Sequence, residues 1–174
     1  MITAAILIDH GFEDAEAVVI YSLLQELGIC AILISCSETT AVSAYFGSKI
    51  EAHHRLSEVS DKEFDALILC GGKGAEERIA NNPLAISVIR QHDGAGKCLC
   101  AISSASVRIL AVNQLLRGRR FTCPAPFWYG ITNAVYQSQD LLVDDNPITA
   151  CGLGLVVPFA RQIIDKLHEQ KAFS

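Results

Sequence analysis

Four short apolar runs constrain this chain more than any other feature: TAAILID (3–9), ICAILISC (29–36), FDALILC (64–70) and KCLCAIS (97–103). None shows the apolar–polar alternation of a strand with one wet face. Each is almost continuously apolar, the pattern of a strand covered on both sides. The stretches between them leave room for crossover helices. EDAEAVVIYSLLQELG (13–28) sets Val18, Val19, Leu23, Leu24 and Leu27 at helical spacing and stops at Gly28. Two helical pieces divided at Asn81-Asn82-Pro83 follow the third run, and SASVRILAVNQLL (104–116) follows the fourth. LVVPFARQIIDKLHEQ (155–170) forms a closing helix, with Pro158 in its first turn, where a missing N–H is tolerated.

The rest is less regular. Segment 38–63 is polar without a long period and reads as a hairpin or irregular excursion. RRFTC (119–123) reads as a further strand, and AVYQS, LLVD and PITAC as strands near the sheet edge. Strands alternating with helices predict an α/β three-layer sandwich: a mostly parallel sheet, right-handed crossovers and helices on both faces. No repeat, linker or low-complexity segment interrupts the pattern, so one domain over 1–174 is expected.

Composition excludes several classes of function. A chain with 51% hydrophobic and 19% charged residues is not disordered. A net charge of −5 offers no electrostatic footprint for nucleic acid. The basic cluster Arg117, Arg119 and Arg120 joins a helix end to a strand start and reads as a solvated connection. No apolar run reaches the roughly 20 residues that span a bilayer. The opening MITAAILID lacks the basic segment of a signal peptide, so a cytoplasmic protein without membrane partners is expected. Seven cysteines, odd in number and mostly within apolar runs, fit buried thiols in a reducing compartment. Cys98 and Cys100 are spaced C-x-C with no second pair at zinc-site spacing, so neither a metal site nor a cofactor is expected.

In open parallel sheets, function gathers beyond the carboxyl ends of the strands. Four loops there are chemically distinctive: Asp9 to Glu16, Gly71-Gly72-Lys73-Gly74, Ser103-Ser104-Ala105-Ser106, and Gly152-Leu153-Gly154. Glycines admit close backbone approach to a ligand, and amide groups at helix starts favour anionic oxygens. The same residues also serve ordinary turns and caps.

Taken in order, these loops resemble the ThiJ/PfpI superfamily. The resemblance rests on Glu16 one turn into the first helix, DALILCGG (65–72), AISSAS (101–106) and TACGLG (149–154), and covers nearly the whole chain. It implies a flavodoxin-like α/β sandwich related to class I glutamine amidotransferase domains, and a homodimer. It also implies a nucleophile elbow in which a cysteine is activated by its turn and a nearby protonated glutamate. Carried over by position, Glu16 matches that glutamate, Gly71 and Gly72 match the oxyanion-side turn, and Ser103 stands where the cysteine belongs. Cys123 stands where many members place a histidine.

Serine changes the chemistry. A cysteine at such an elbow is a thiolate near neutral pH, whereas a serine hydroxyl stays protonated until a positioned base removes its proton. Ser103, Glu16 and His10 are therefore the catalytic candidates, with His10 as a base in a Ser103–His10–acid arrangement. Gly71, Gly72, Ser104 and Cys123 are the ligand-binding candidates. Glu16 either faces the pocket or lies in solvent on the first helical turn. Cys123 is either a packing residue or a displaced reactive thiol. His92 closes a helix, where an imidazolium suits the dipole. Phe127, Trp128 and Tyr129 form a ligand wall, a subunit contact or a satellite core cluster. Three functions follow: non-covalent binding of a small molecule or protein partner at the elbow, a Ser103-dependent hydrolase, or a family-type glyoxalase or deglycase using another thiol.

Overall fold

The four apolar runs lie side by side as parallel strands in the computed structural model, which describes residues 1–172. In chain order the elements are β1 (Thr3–Ile8), α1 (Asp14–Glu26), β2 (Cys30–Ser35), β3 (Ala41–Ser43), β4 (Lys49–Glu51), β5 (His54–Arg55) and the one-turn α2 (Leu56–Val59). β6 (Ala66–Leu69), α3 (Lys73–Ala80), α4 (Pro83–Gly94) and β7 (Cys98–Ile102) follow, then a π-helical segment, Ser106–Ala111. β8 (Arg120–Phe121), β9 (Val135–Tyr136), β10 (Leu141–Val143), β11 (Ile148–Ala150), a 3₁₀ turn (Leu153–Leu155) and α5 (Val156–Ala172) complete the order. The main sheet runs β10-β11-β7-β6-β1-β2-β5, parallel except for the antiparallel edge strand β10.

Why the runs are apolar throughout is visible in the packing. Ile6, Ile8, Ile68 and Ile102 face α1 and α5 with Ile20, Leu24, Phe159 and Ile163. Their neighbours Leu7, Leu67, Leu69 and Leu99 face the other way, onto Ile89 of α4 and Ile109 and Leu110 of the π-helical segment. Both faces are dry, and each fully buried aliphatic side chain contributes about 1.5–3 kcal/mol. This is the mostly parallel α/β sandwich expected, with helices on both sides. No helix among the described residues is long and apolar enough to cross a membrane.

Several details differ from the pattern in the sequence. α1 buries Glu16, Ala17, Ile20 and Leu24, while Val18, Val19 and Leu27 are exposed. The sheet selects the face that carries Ala17, Ile20 and Leu24 together with one carboxyl group, Glu16. The excursion is the β3–β4 hairpin plus the edge strand β5 and α2. RRFTC shortens to β8, which pairs with β9 in a separate two-stranded ribbon and not in the main sheet. The expected helix 104–116 is π-helical over Ser106–Ala111 and then breaks into turns, with Gln114 and Arg117 at φ +56° and +50°. Val107, Ile109 and Val112 are β-branched and disfavour a regular α-helix there. By contrast, α4 starts where the sequence divides it: the Asn82 side chain accepts from the Leu84 and Ala85 amides at 3.0 and 3.2 Å, and Pro83 follows.

The basic cluster is occupied internally. Arg119 forks onto Asp93 at 2.7 and 3.1 Å, and Arg120 pairs with Asp144 at 2.6 Å. His92 is buried, not a solvated cap: its Nε2 accepts from the Phe64 amide at 3.0 Å, and its Nδ1 lies 2.8 Å from the Val88 carbonyl. An N–H can only donate, so Nε2 carries no proton and the ring is the neutral tautomer protonated at Nδ1. Five of the seven cysteines are buried; Cys30 is exposed and Cys151 half-buried.

Candidate active site

β7 delivers the chain to Ser103, which adopts φ +59°, a conformation that non-glycine residues rarely take. The Ser103 amide donates to the Ala150 carbonyl at 2.9 Å, tying the turn to the end of β11. Left-handed backbone here lifts the side chain off the sheet edge, the geometry of a strand–nucleophile–helix elbow. The hydroxyl does not face open solvent. It donates to Glu16 Oε1 in a very short hydrogen bond.

Glu16 comes from the first turn of α1 and is 1% exposed. Its other oxygen, Oε2, accepts from the Gly71 amide at 2.7 Å. Burial pushes its carboxyl above the usual range, and the two donors oppose that shift. The close fit requires glycine after β6. A Cβ on Gly71 would lie 2.8 Å from the Ser103 Cβ and 3.0 Å from Glu16 Oε2. Gly72, at φ +111°, has no room either: a Cβ there would strike the Gly11 carbonyl, the Phe12 Cα and the Glu13 amide.

A second acid stands beside the first. The Ser104 hydroxyl donates to Glu76 Oε1 at 2.7 Å, and Glu76, from α3, is fully buried. Its Oε2 has no hydrogen-bond partner and lies 3.4 Å from the Arg108 guanidinium. Burial pushes the Glu76 carboxyl up too, opposed by Ser104 and Arg108. Two consecutive serines thus bind two buried glutamates from different helices. Nothing local in the sequence marks Glu76, one of two adjacent acids in a charged helix; only the tertiary fold brings it to Ser104.

The remaining sequence candidates lie as follows. Gly71 spends its N–H on Glu16. The Gly72 and Ser104 amides have no acceptor among the described residues. His10 is not joined to Ser103: its Nδ1 accepts from the Ser43 amide at 3.2 Å, which ties the ring to the hairpin and occupies the lone pair a base would need. The proton acceptor at Ser103 is therefore Glu16, and a Ser103–His10–acid arrangement is not formed. Cys123 is 1% exposed, and burial pushes its thiol up to about 12, so it stands as a packing residue and not a reactive thiol. Cys70, buried behind the glycine turn, is likewise raised, chiefly by burial and then by Glu16. The aromatic loop packs onto the second core through Phe127 and Trp128, with Trp128 stacked on Tyr136 and Tyr129 exposed. Among the described residues no three His, Cys, Asp or Glu groups converge as metal ligands. A broad depression at the opposite, amino ends of the strands is lined by Ile2, Asp65, Lys97 and Lys166, but Lys97 there is paired with Glu63 and Asp65.

Comparison with known proteins identifies the fold that holds this site. The model of the DJ-1/PfpI family matches residues 2–166. A solved cysteine-to-alanine mutant of a DJ-1 superfamily protein from Salmonella typhimurium is 35% identical and superposes with a TM-score of 0.92, covering 99% of this chain and 97% of that one. A deglycase of Pyrococcus horikoshii is 33% identical over 81% of this chain and 84% of its own length. DJ-1 homolog A of Arabidopsis thaliana is 28% identical over 95% of this chain, which spans only 43% of that longer protein. The Ser103 elbow, the buried glutamate on α1 and the glycine turn after β6 are thus set in a scaffold that makes this chain a member of the DJ-1/PfpI family.

Proposed function

We propose that this chain is a DJ-1/PfpI domain that binds a small polar molecule at the Ser103 elbow without the thiolate chemistry the family resemblance implies. The observation that carries this reading is the Ser103 hydroxyl in the strained elbow position, donating its proton to buried Glu16. An elbow thiol would ionise near neutral pH; the hydroxyl does not. Cys123, the thiol considered in its place, fares poorly because it is buried and hard to ionise, and so is Cys70 beside the glycine turn. The free Gly72 and Ser104 amides suit a carbonyl or carboxylate oxygen.

Two measurements test the reading. Ser103→Cys gains rapid alkylation by iodoacetamide at position 103 and turnover of an aldehyde substrate such as methylglyoxal, at least a hundredfold above wild type. Wild type gives no adduct with a fluorophosphonate by intact-mass spectrometry. One hydrogen bond favours a second reading: a carboxylate placed to accept from the serine hydroxyl is the arrangement a Ser103-dependent hydrolase needs. A stoichiometric fluorophosphonate adduct, absent in Ser103→Ala, would put that reading first. We further propose that two copies associate through the exposed apolar residues of α1 and the hairpin tip.

A further inference from the structure

We infer that the ligand class at this elbow is a small organic monocarboxylate, recognised by Arg108. The inference rests on the reading of the elbow as a binding site and names what it binds. Arg108 follows the elbow by one turn, its amide donating to the Ser104 carbonyl at 2.8 Å. Its guanidinium carbon lies 4.9 Å above the Phe127 ring, a stacking contact that fixes the plane of the charged fork. The Glu76 carboxyl spans the gap from elbow to cation, accepting Ser104 with one oxygen and facing Arg108 Nε with the other.

That pairing is incomplete. The 3.4 Å approach leaves buried Glu76 Oε2 without a hydrogen bond, and the two terminal guanidinium nitrogens have no acceptor among the described residues. The Arg108 side chain is about one-third exposed, so the fork is oriented, charged and reachable. A planar fork with free N–H groups matches a carboxylate edge-on with two parallel hydrogen bonds. Charge limits the choice further. Glu76 already faces the one cation, Glu16 lies close to Glu76 and Glu13 to Glu16, and this negative charge disfavours a doubly charged phosphate.

The test is a two-dimensional amide NMR titration of wild type with pyruvate and with pyruvamide, its neutral isostere, following residues 103–108. Pyruvate shifts these amides saturably and binds at least tenfold tighter than pyruvamide, a preference that weakens as salt is added. In Arg108→Gln the two ligands bind equally. Equal binding to wild type, or an Arg108→Gln variant that still prefers pyruvate, overturns the inference while leaving the elbow a binding site. Tighter binding of inorganic phosphate than of pyruvate also overturns it. Failure of both organic ligands to move these amides overturns the binding reading as well. The wild-type comparison decides the matter even if Arg108→Gln does not fold.

Discussion

Ser103 carries two burdens at once, a left-handed backbone and a hydroxyl committed to Glu16. The two separate by substitution. Ser103→Ala and Ser103→Gly both lose the hydroxyl, but only glycine relieves the φ of +59°. Ser103→Gly is expected to be more stable than Ser103→Ala by about 1 kcal/mol, measured by chemical denaturation. Equal stabilities would mean that the turn relaxes and stores no strain. Had serine been recruited only to make a comfortable turn, glycine would serve better. Its presence marks the hydroxyl as the group that matters.

At the scale of elements, the turn between β6 and α3 is the least forgiving. A Cβ on Gly72 meets only backbone of the loop after β1, which cannot rotate away. Gly72→Ala is therefore expected to lose at least about 3 kcal/mol, from a φ that L-residues avoid combined with a backbone clash. Thermal melting of the variant checks this, and a loss under 1 kcal/mol would contradict the packing described. This turn was legible in the sequence, as were β1, β2, β6, β7, α4 and α5. Strands buried on both faces and capped helices have patterns that neighbours do not alter. The π-helical segment and the β8–β9 ribbon were not legible, because β-branched residues and two-residue strands have no distinguishing period. Glu16 was found through its family position, whereas Glu76 and Arg108 gained significance only when the fold placed them at Ser104. The His10 expectation failed for a related reason: adjacency to the right loop says nothing about which amide claims the ring.

Across the whole molecule, exposed apolar residues occur on several elements, Leu84 and Val112 among them, and one set bears on the proposed association. Val18 and Val19 of α1, Tyr45 and Phe46 at the hairpin tip and Val157 at the start of α5 all remain exposed. Tyr45 and Phe46 pack edge to face, 4.9 Å apart, with little else over them. Sedimentation velocity is expected to show a dimer for wild type and a monomer for Val19→Asp. A monomeric wild type would remove the proposed association without touching the elbow. Such pairing would cover surface that is costly to leave wet.

The two adjacent serine–glutamate bonds have a mechanical meaning beyond chemistry. Glu16 belongs to a helix packed in one core, and Glu76 to a helix that touches both, through Ala75 in the first and Ile79 in the second. The turn at 103–104 therefore works as a rivet through the sandwich. Neither layer can peel from the sheet without breaking a hydrogen bond to a buried carboxyl at that point. The proposed ligand site is also the point at which the two layers are joined.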